Sequence, residues 1–173
     1  MSSSGLLGEQ TQQQQSTGHW VSAWLPVMIC IAAIATESTQ AFGADHTSGP
    51  LQRLLESLLH RHFTQPEWWR LHIIIRKCGH FFGYGILSLA WFRAFRMSLR
   101  PAMDLNRRLI SCHLLAMLGT FFIASCDEFH QVFLPNRSGS FVDVLVDCSG
   151  AAFLQLLLWL FMRRQARARQ IAY

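Results

Sequence analysis

Four long segments of this chain are apolar and almost free of charged residues, and they limit its fold more than any other feature. They are residues 20–36, 78–92, 109–126 and 141–162. A helix needs about 20 predominantly apolar residues to cross a bilayer, with a range of about 17 to 25. The first and third segments fit at the short end. The second fits only if it extends from about Arg76 to Phe95, and the fourth only if it includes Asp143 and Asp147. We therefore predict an all-α integral membrane bundle of four transmembrane helices.

The composition supports this prediction. Hydrophobic residues make up 51% of the 173 residues and charged residues only 14%, whereas soluble domains average roughly 25% charged. A soluble all-helical core is the alternative, but uncharged runs of this length are uncommon outside membranes. The net charge of +5 does not indicate nucleic acid, because the basic residues lie between apolar runs. We expect the lipid bilayer as partner and no nucleic acid.

The basic residues also predict an orientation, because Lys and Arg collect in cytoplasmic loops. The connection between the second and third segments and the C-terminal tail are rich in arginine: Arg93, Arg96, Arg100, Arg107, Arg108, Arg163, Arg164, Arg167 and Arg169. The third connection carries only Arg137, which places that side outside. The first connection disagrees with this pattern, since it is basic while residues 1–19 contain no Lys or Arg.

The ends of the chain differ from its middle. Residues 1–19 are rich in Ser, Gln and Gly and are predicted to be a disordered tail. Residues 20–163 form the predicted transmembrane domain, and residues 164–173 a basic cytoplasmic tail. Cleavage after the first segment is an alternative, because Ala33 to Ala35 resembles a signal-peptide site, but the positive region that precedes such a segment is missing.

The first connection contains a pattern typical of a short amphipathic helix. Five leucines fall on one helical face after Ser48-Gly49-Pro50: Leu51, Leu54, Leu55, Leu58 and Leu59. We predict a helix that lies on the membrane surface, although a helix packed on protein would have the same pattern. Trp68 and Trp69 follow and are predicted to lie at the level of the headgroups.

Polar residues occur where the predicted spans meet one side of the membrane. Because adjacent spans run antiparallel, the end of span one, the start of span two, the end of span three and the start of span four share a side. Ionisable groups at such depths are costly and are candidates for function. Residues three, four or seven apart share a helical face, and three such stripes occur: Lys77, His80 and Tyr84; Asp127 and Gln131; Asp143, Asp147 and Gly150. We predict that they meet in one semi-buried cluster.

Two stretches resemble the VanZ-like family of membrane proteins. Residues 76–95, RKCGHFFGYGILSLAWFRAF, resemble its K-x-x-H-x-x-x-Y element, and residues 127–151, DEFHQVFLPNRSGSFVDVLVDCSGA, its D-E-x-x-Q…R…D-x-x-x-D-x-x-G element. The resemblance implies a small multi-span protein of the bacterial inner membrane, with its polar site facing outward and Gly150 allowing close helix approach. It also implies a set of polar site residues: Lys77, His80, Tyr84, Asp127, Glu128, Gln131, Arg137, Asp143 and Asp147.

The first hypothesis for function is binding of an envelope or lipid-linked ligand, related to teicoplanin-type glycopeptide resistance. The alternative is an intramembrane enzyme, with acid–base candidates His80, Asp127, Glu128, Asp143 and Asp147. Transport ranks third because the inner half of the spans is apolar apart from His113, which is interpreted as a hydrogen-bonded packing residue. A purely structural network remains open. No cofactor and no metal are expected, although the same acid–base candidates could hold a metal ion. No disulfide is predicted, because the five cysteines have no CxxC spacing and lie in or beside apolar spans.

Overall fold

The protein is helical throughout its described residues. The computed structural model describes residues 3–39, 43–99, 104–135 and 139–171. Its five helices are α1 (Ser3–Glu37), α2 (Ala44–Leu59), α3 (Gln65–Ser98), α4 (Leu105–Gln131) and α5 (Phe141–Ile171). The prediction of an all-α fold is confirmed.

Three helices in the described part of the chain are long and apolar enough to cross a membrane. They comprise Gly18–Glu37 of α1, Leu105–Gln131, and Phe141–Ala168 of α5. The prediction of a multi-pass membrane protein is thus supported for three spans. α3 is as long as the others, but polar residues such as His80, Tyr84 and Arg93 lower its hydropathy. A fourth crossing by α3 stays a prediction.

α3 is the central helix of the bundle and contacts α1, α4 and α5, while α4 also contacts α5. The Arg93 side chain near the end of α3 donates to the Ser22 carbonyl of α1 at 2.7 Å. Tyr84 near the middle of α3 contacts Asp127 near the end of α4. α1 and α4 therefore run antiparallel to α3. α5 runs parallel to α3, because Gly150 lies against Phe81 and Gln155 reaches Ser88.

Many small apolar residues, with some larger ones, fill the interior of the bundle, and large apolar residues cover its outside. Val27, Leu87, Ala94, Ala124 and Val144 are buried in the core. The outward faces of the three spans expose a further set of large apolar side chains, among them Leu25, Met28, Leu114, Leu118, Phe122 and Leu156. An exposed apolar surface of this extent is typical of contact with lipid.

The described residues nearest to the two ends of the chain are helical. α1 begins at Ser3 and so includes most of the segment expected to be disordered. Glutamine is a favourable helix former, and extending an existing helix avoids the cost of a new nucleus; composition alone does not capture either effect. At the other end, α5 continues through the basic tail to Ile171, and Arg163 stacks on Trp159 with 4.1 Å between guanidinium and ring centroid.

The first connection folds into α2 and the start of α3. The α3 start is fixed by a capping box, in which the Thr64 backbone N–H donates to Glu67 at 3.0 Å. Trp68 is buried and donates to the Ser48 hydroxyl of α2 at 2.6 Å, and its place at the level of the headgroups stays a prediction. Trp69, Leu54 and Leu58 are exposed. The helix predicted in this connection is present, and its placement on a membrane surface stays a prediction.

Candidate functional site

The predicted polar residues within the described ranges converge at one end of the bundle. Lys77, His80 and Tyr84 lie on α3, Asp127, Glu128 and Gln131 at the end of α4, and Asp143 and Asp147 at the start of α5. Arg137 lies outside the described residues. The arginines that contact backbone carbonyls of α1 and α3, Arg93 and Arg108, lie at the opposite end. The polar cluster and the arginine-rich connection are therefore separated along the bundle axis.

Asp127 joins α3 to α4 in a buried hydrogen-bonded network. The Tyr84 hydroxyl donates to the Asp127 carboxylate at 3.0 Å, and the Gln131 side-chain amide donates to the same oxygen at 3.1 Å. Tyr84 is almost completely buried, and its ring stacks on that of His80. These bonds tie the three groups to each other, as a structural network requires.

Asp147 differs from Asp127 because it is buried without a donor. Its side chain is 0% exposed, and the His80 Nδ1 lies 3.2 Å from its Oδ1. This contact is an ion pair when the imidazole is protonated, but within the described part of the chain neither Asp147 oxygen accepts a hydrogen bond. A buried carboxylate needs a proton, a donor or a cation to offset its lost hydration. Asp147 is thus the carboxylate of the cluster that lacks a hydrogen-bond donor.

Glu128 reaches the same region from α4 and is held by the chain that enters α5. Its Oε2 accepts a hydrogen bond from the Ser140 backbone N–H at 2.8 Å. The preceding residue, Gly139, lies so close to α4 that an added Cβ would meet the Glu128 carbonyl oxygen at 2.1 Å. Glycine is needed here for this close approach, which brings the Ser140 N–H within reach of the carboxylate.

Lys77 and Asp143 form an ion pair at the rim of the cluster, between α3 and α5. Their side chains are 48% and 34% exposed. Because both side chains are accessible, either one can leave the other and bind an external group at little cost in free energy. The cluster therefore has a solvent-accessible rim above the buried Asp147.

A close backbone contact between α3 and α5 brings these residues together. A Cβ on Gly150 would lie 1.9 Å from the Phe81 carbonyl oxygen, and a Cβ on Gly85 would lie 3.1 Å from the Gly150 carbonyl oxygen. Phe81 is next to His80 in the sequence, and Gly150 lies one turn after Asp147. The expected role of Gly150 in close helix approach agrees with this geometry.

A small cavity of about 20 Å³ opens beside the network. Its lining includes Glu37 and Ser38 from the end of α1, together with His80, Tyr84 and Asp127. A cavity of this size holds about one water molecule. Glu37 and Ser38 were not among the predicted site residues, although they end an apolar span on the same side as the others.

A second polar group lies deeper in the bundle and was not predicted as a unit. The Gln155 side chain donates to the Ser88 carbonyl at 2.8 Å, and its oxygen lies 2.5 Å from the His113 Nδ1. The His113 ring also packs on Phe92, 4.5 Å between centroids. These contacts agree with the interpretation of His113 as a packing residue. Gln155 was missed because a single glutamine in an apolar run has no distinguishing sequence signal.

Comparison with known proteins identifies the same elements. A family model described as VanZ/LLP1 matches residues 20–162, which includes every predicted site residue and leaves out the glutamine-rich N-terminal segment. No match was found among curated proteins or among solved structures.

Proposed function

The chain belongs to the VanZ/LLP1 family, and from this premise we propose that it binds the polar group of an envelope or lipid-linked molecule. The binding site is the cluster around Asp147, with the Lys77–Asp143 pair at its rim. Its relation to teicoplanin-type glycopeptide resistance is part of the proposal.

The protein crosses the bacterial inner membrane four times in this proposal. Residues 77–96 of α3 extend about 30 Å at 1.5 Å per residue, which is about the thickness of the hydrocarbon core. The arginine-rich end lies in the cytoplasm by the positive-inside rule, so the polar cluster faces outward. The exposed leucines of α2, Leu54 and Leu58, then rest on the outer surface of the bilayer.

The chemistry of the rim favours a ligand with an anionic group. A phosphate or carboxylate can replace Asp143 as the partner of the Lys77 ammonium through charge-assisted hydrogen bonds. Asp143 is then free to accept from hydroxyl or amine groups of the ligand. Because the cavity inside the rim is only about 20 Å³, the bulk of the headgroup lies outside the bundle, against the exposed faces of these two residues.

The observation that carries this proposal is the fully buried Asp147, which accepts no hydrogen bond and has only the His80 imidazole as an ion-pair partner among the described residues. A cluster that served only to connect helices would satisfy its own members, as the Tyr84–Asp127–Gln131 network does. An unsatisfied carboxylate beneath an accessible ion pair is instead typical of a site completed by something else. The enzymatic hypothesis uses the same residues, with His80 as base, and differs only in whether the bound molecule is converted.

The test is binding of a fluorescent lipid-linked cell-wall precursor to the protein in nanodiscs, measured by thermophoresis. Lys77→Gln should weaken binding about 10-fold or more, since a hydrogen bond to a charged group contributes about 1.5–3 kcal/mol. The control is Arg61→Gln, which removes a more exposed ion pair, Arg61–Glu67, outside the cluster. This control should bind as the unmodified protein does.

The proposal fails if Lys77→Gln and Arg61→Gln bind the precursor equally well. Chromatography of the precursor after incubation separates the two hypotheses for the site. An unchanged precursor supports binding alone, and a converted one supports the enzyme. Teicoplanin replaces the precursor in a parallel titration to test the glycopeptide as ligand.

A further inference from the structure

Three side chains from three helices, Asp147 among them, bring ligand atoms together at distances suited to a metal ion. His80, Glu128 and Asp147 each offer one ligand atom, and these atoms all lie within 4.8 Å of one another. They come from α3, α4 and α5, so their juxtaposition depends on the tertiary fold. We propose that this triad binds a divalent transition-metal ion, with zinc the best match.

The geometry of the His80–Asp147 pair already fits such an ion. Ligands about 2.1 Å from a tetrahedral zinc lie roughly 3.4 Å apart. The His80 Nδ1 and Asp147 Oδ1 are 3.2 Å apart and do not form a hydrogen bond with each other. In the absence of an ion the two groups can form an ion pair, and their 3.2 Å separation is also close to that of two ligands of one ion.

Glu128 can supply the third ligand with a small movement. Its Oε2 is held by the Ser140 N–H at 2.8 Å, so the carboxylate can keep this bond and offer its other oxygen to the ion. A hydrogen bond to the second oxygen is the usual way in which a protein orients a metal-binding carboxylate. Since no two of the three ligand atoms are more than 4.8 Å apart, each pair has to close by at most roughly 1.4 Å to reach tetrahedral spacing.

Charge and ligand type select the kind of ion. Among the described residues of the cluster, the carboxylates of Asp127, Glu128, Asp143 and Asp147 outnumber the basic groups of Lys77 and His80, which favours a cation. An imidazole nitrogen beside two carboxylate oxygens suits zinc or manganese, whereas magnesium and calcium prefer oxygen ligands alone. Three protein ligands leave a fourth position open, as in zinc sites that bind water or substrate.

A bound cation would balance the charge of the buried Asp147 carboxylate whether or not a headgroup binds, so metal binding goes beyond the proposed function. It also gives that function a chemical basis, since the open position can accept a phosphate oxygen. The two claims fail separately. Metal binding is measured on the protein alone, and headgroup binding is measured by the Lys77→Gln comparison.

The experiment is isothermal titration of Zn²⁺ into the full chain, purified in detergent and stripped with EDTA, with Mg²⁺ as a comparison ion. The unmodified protein should bind one zinc at this site with micromolar or better affinity. Asp147→Asn should weaken that binding at least about 100-fold, because loss of a direct ligand exceeds the 10–100-fold effect of a supporting residue. Asp104→Asn, which removes an acid at the opposite end of the bundle where asparagine can still cap α4, should retain it. Every variant keeps the five free cysteines, so the comparison cancels any zinc they bind.

Thermal unfolding with and without zinc distinguishes a metal site from a structural carboxylate. Zinc should raise the melting temperature of the unmodified protein and leave that of Asp147→Asn unchanged. If Asp147→Asn does not fold, Glu128→Gln serves instead, because its side-chain oxygen can still accept from the Ser140 N–H. Equal zinc binding by the unmodified protein and a folded triad variant overturns the proposal, as does tighter binding of Mg²⁺ than of Zn²⁺.

Discussion

Replacing Gly150 with alanine tests whether the contact between α3 and α5 holds the candidate site together. A Cβ at this position would lie 1.9 Å from the Phe81 carbonyl oxygen, and also 2.7 Å from the Phe81 carbonyl carbon. Contacts of Cβ atoms below 3.0 Å are essentially never seen in proteins. The obstructing atoms belong to the backbone, so a change of side-chain rotamer cannot relieve the clash.

The two helices must therefore separate by about 1.1 Å or more at this point. Overpacking of this kind costs about 1–3 kcal/mol, and the upper half of the range applies because backbone must move. Alanine recovers up to about 1 kcal/mol through its better helix propensity. We expect a net loss of about 1–2 kcal/mol in the free energy of unfolding. Since Gly150 is one turn from Asp147, the 3.2 Å gap to His80 should also widen beyond the spacing for a shared ion.

The assay is reversible unfolding in mixed micelles, followed by the fluorescence of the six tryptophans. The matched control is Gly83→Ala on α3, where an added Cβ meets no atom within 4 Å. This control is interpreted for stability only, because Gly83 lies beside the small cavity. It should be neutral or up to about 1 kcal/mol more stable. Equal stability of the two variants would refute the reasoning, because it would mean that α3 and α5 do not approach as closely as described.

Two further changes address the buried network and the start of α3. Tyr84→Phe removes the 3.0 Å bond to Asp127 and should lower the free energy of unfolding by about 1.5–3 kcal/mol, measured in the same micelles; a loss below about 0.5 kcal/mol would contradict the network. The Thr64 backbone N–H holds the pKa of Glu67 below its ordinary 4.5. The resulting stabilisation is present above pH 4.5 and is lost as the pH falls through the lower folded-state pKa. The protection of the Thr64 amide, measured as its hydrogen-exchange rate relative to the intrinsic rate at each pH, should fall below that pH in the unmodified protein, whereas Glu67→Gln should show no such step.

The apolar segments and their order account for most of what could be predicted. Consecutive spans alternate in direction, so the end of one span lies on the same side as the start of the next. The sequence alone therefore places His80, Asp127 and Asp147 at one end of the bundle. The Lys77, His80 and Tyr84 spacing likewise predicts one helical face. The N-terminal segment shows the limit of composition as a guide, since Gln-rich sequence is compatible with disorder and with the extension of a neighbouring helix.

The partners within the cluster were not predictable. Asp127 and Asp147 have the same chemistry and a similar depth, yet one accepts two hydrogen bonds and the other none. Which acid faces Tyr84 and which faces His80 depends on the rotation of each helix about its axis. That rotation is set by contacts between distant residues, such as Gly150 against Phe81, which no local pattern contains. Gln155 was missed for the same reason.

By itself, then, the sequence determined a helical membrane protein with its acids and bases gathered at one end, because hydrophobic length and alternating direction depend only on the order of residues. Only the tertiary structure decided that Tyr84 closes on Asp127 while Asp147 stays without a donor between His80 and Glu128. The physical reason is that the rotation and close approach of helices are set by packing between distant segments, which decides whether a buried carboxylate accepts hydrogen bonds or not.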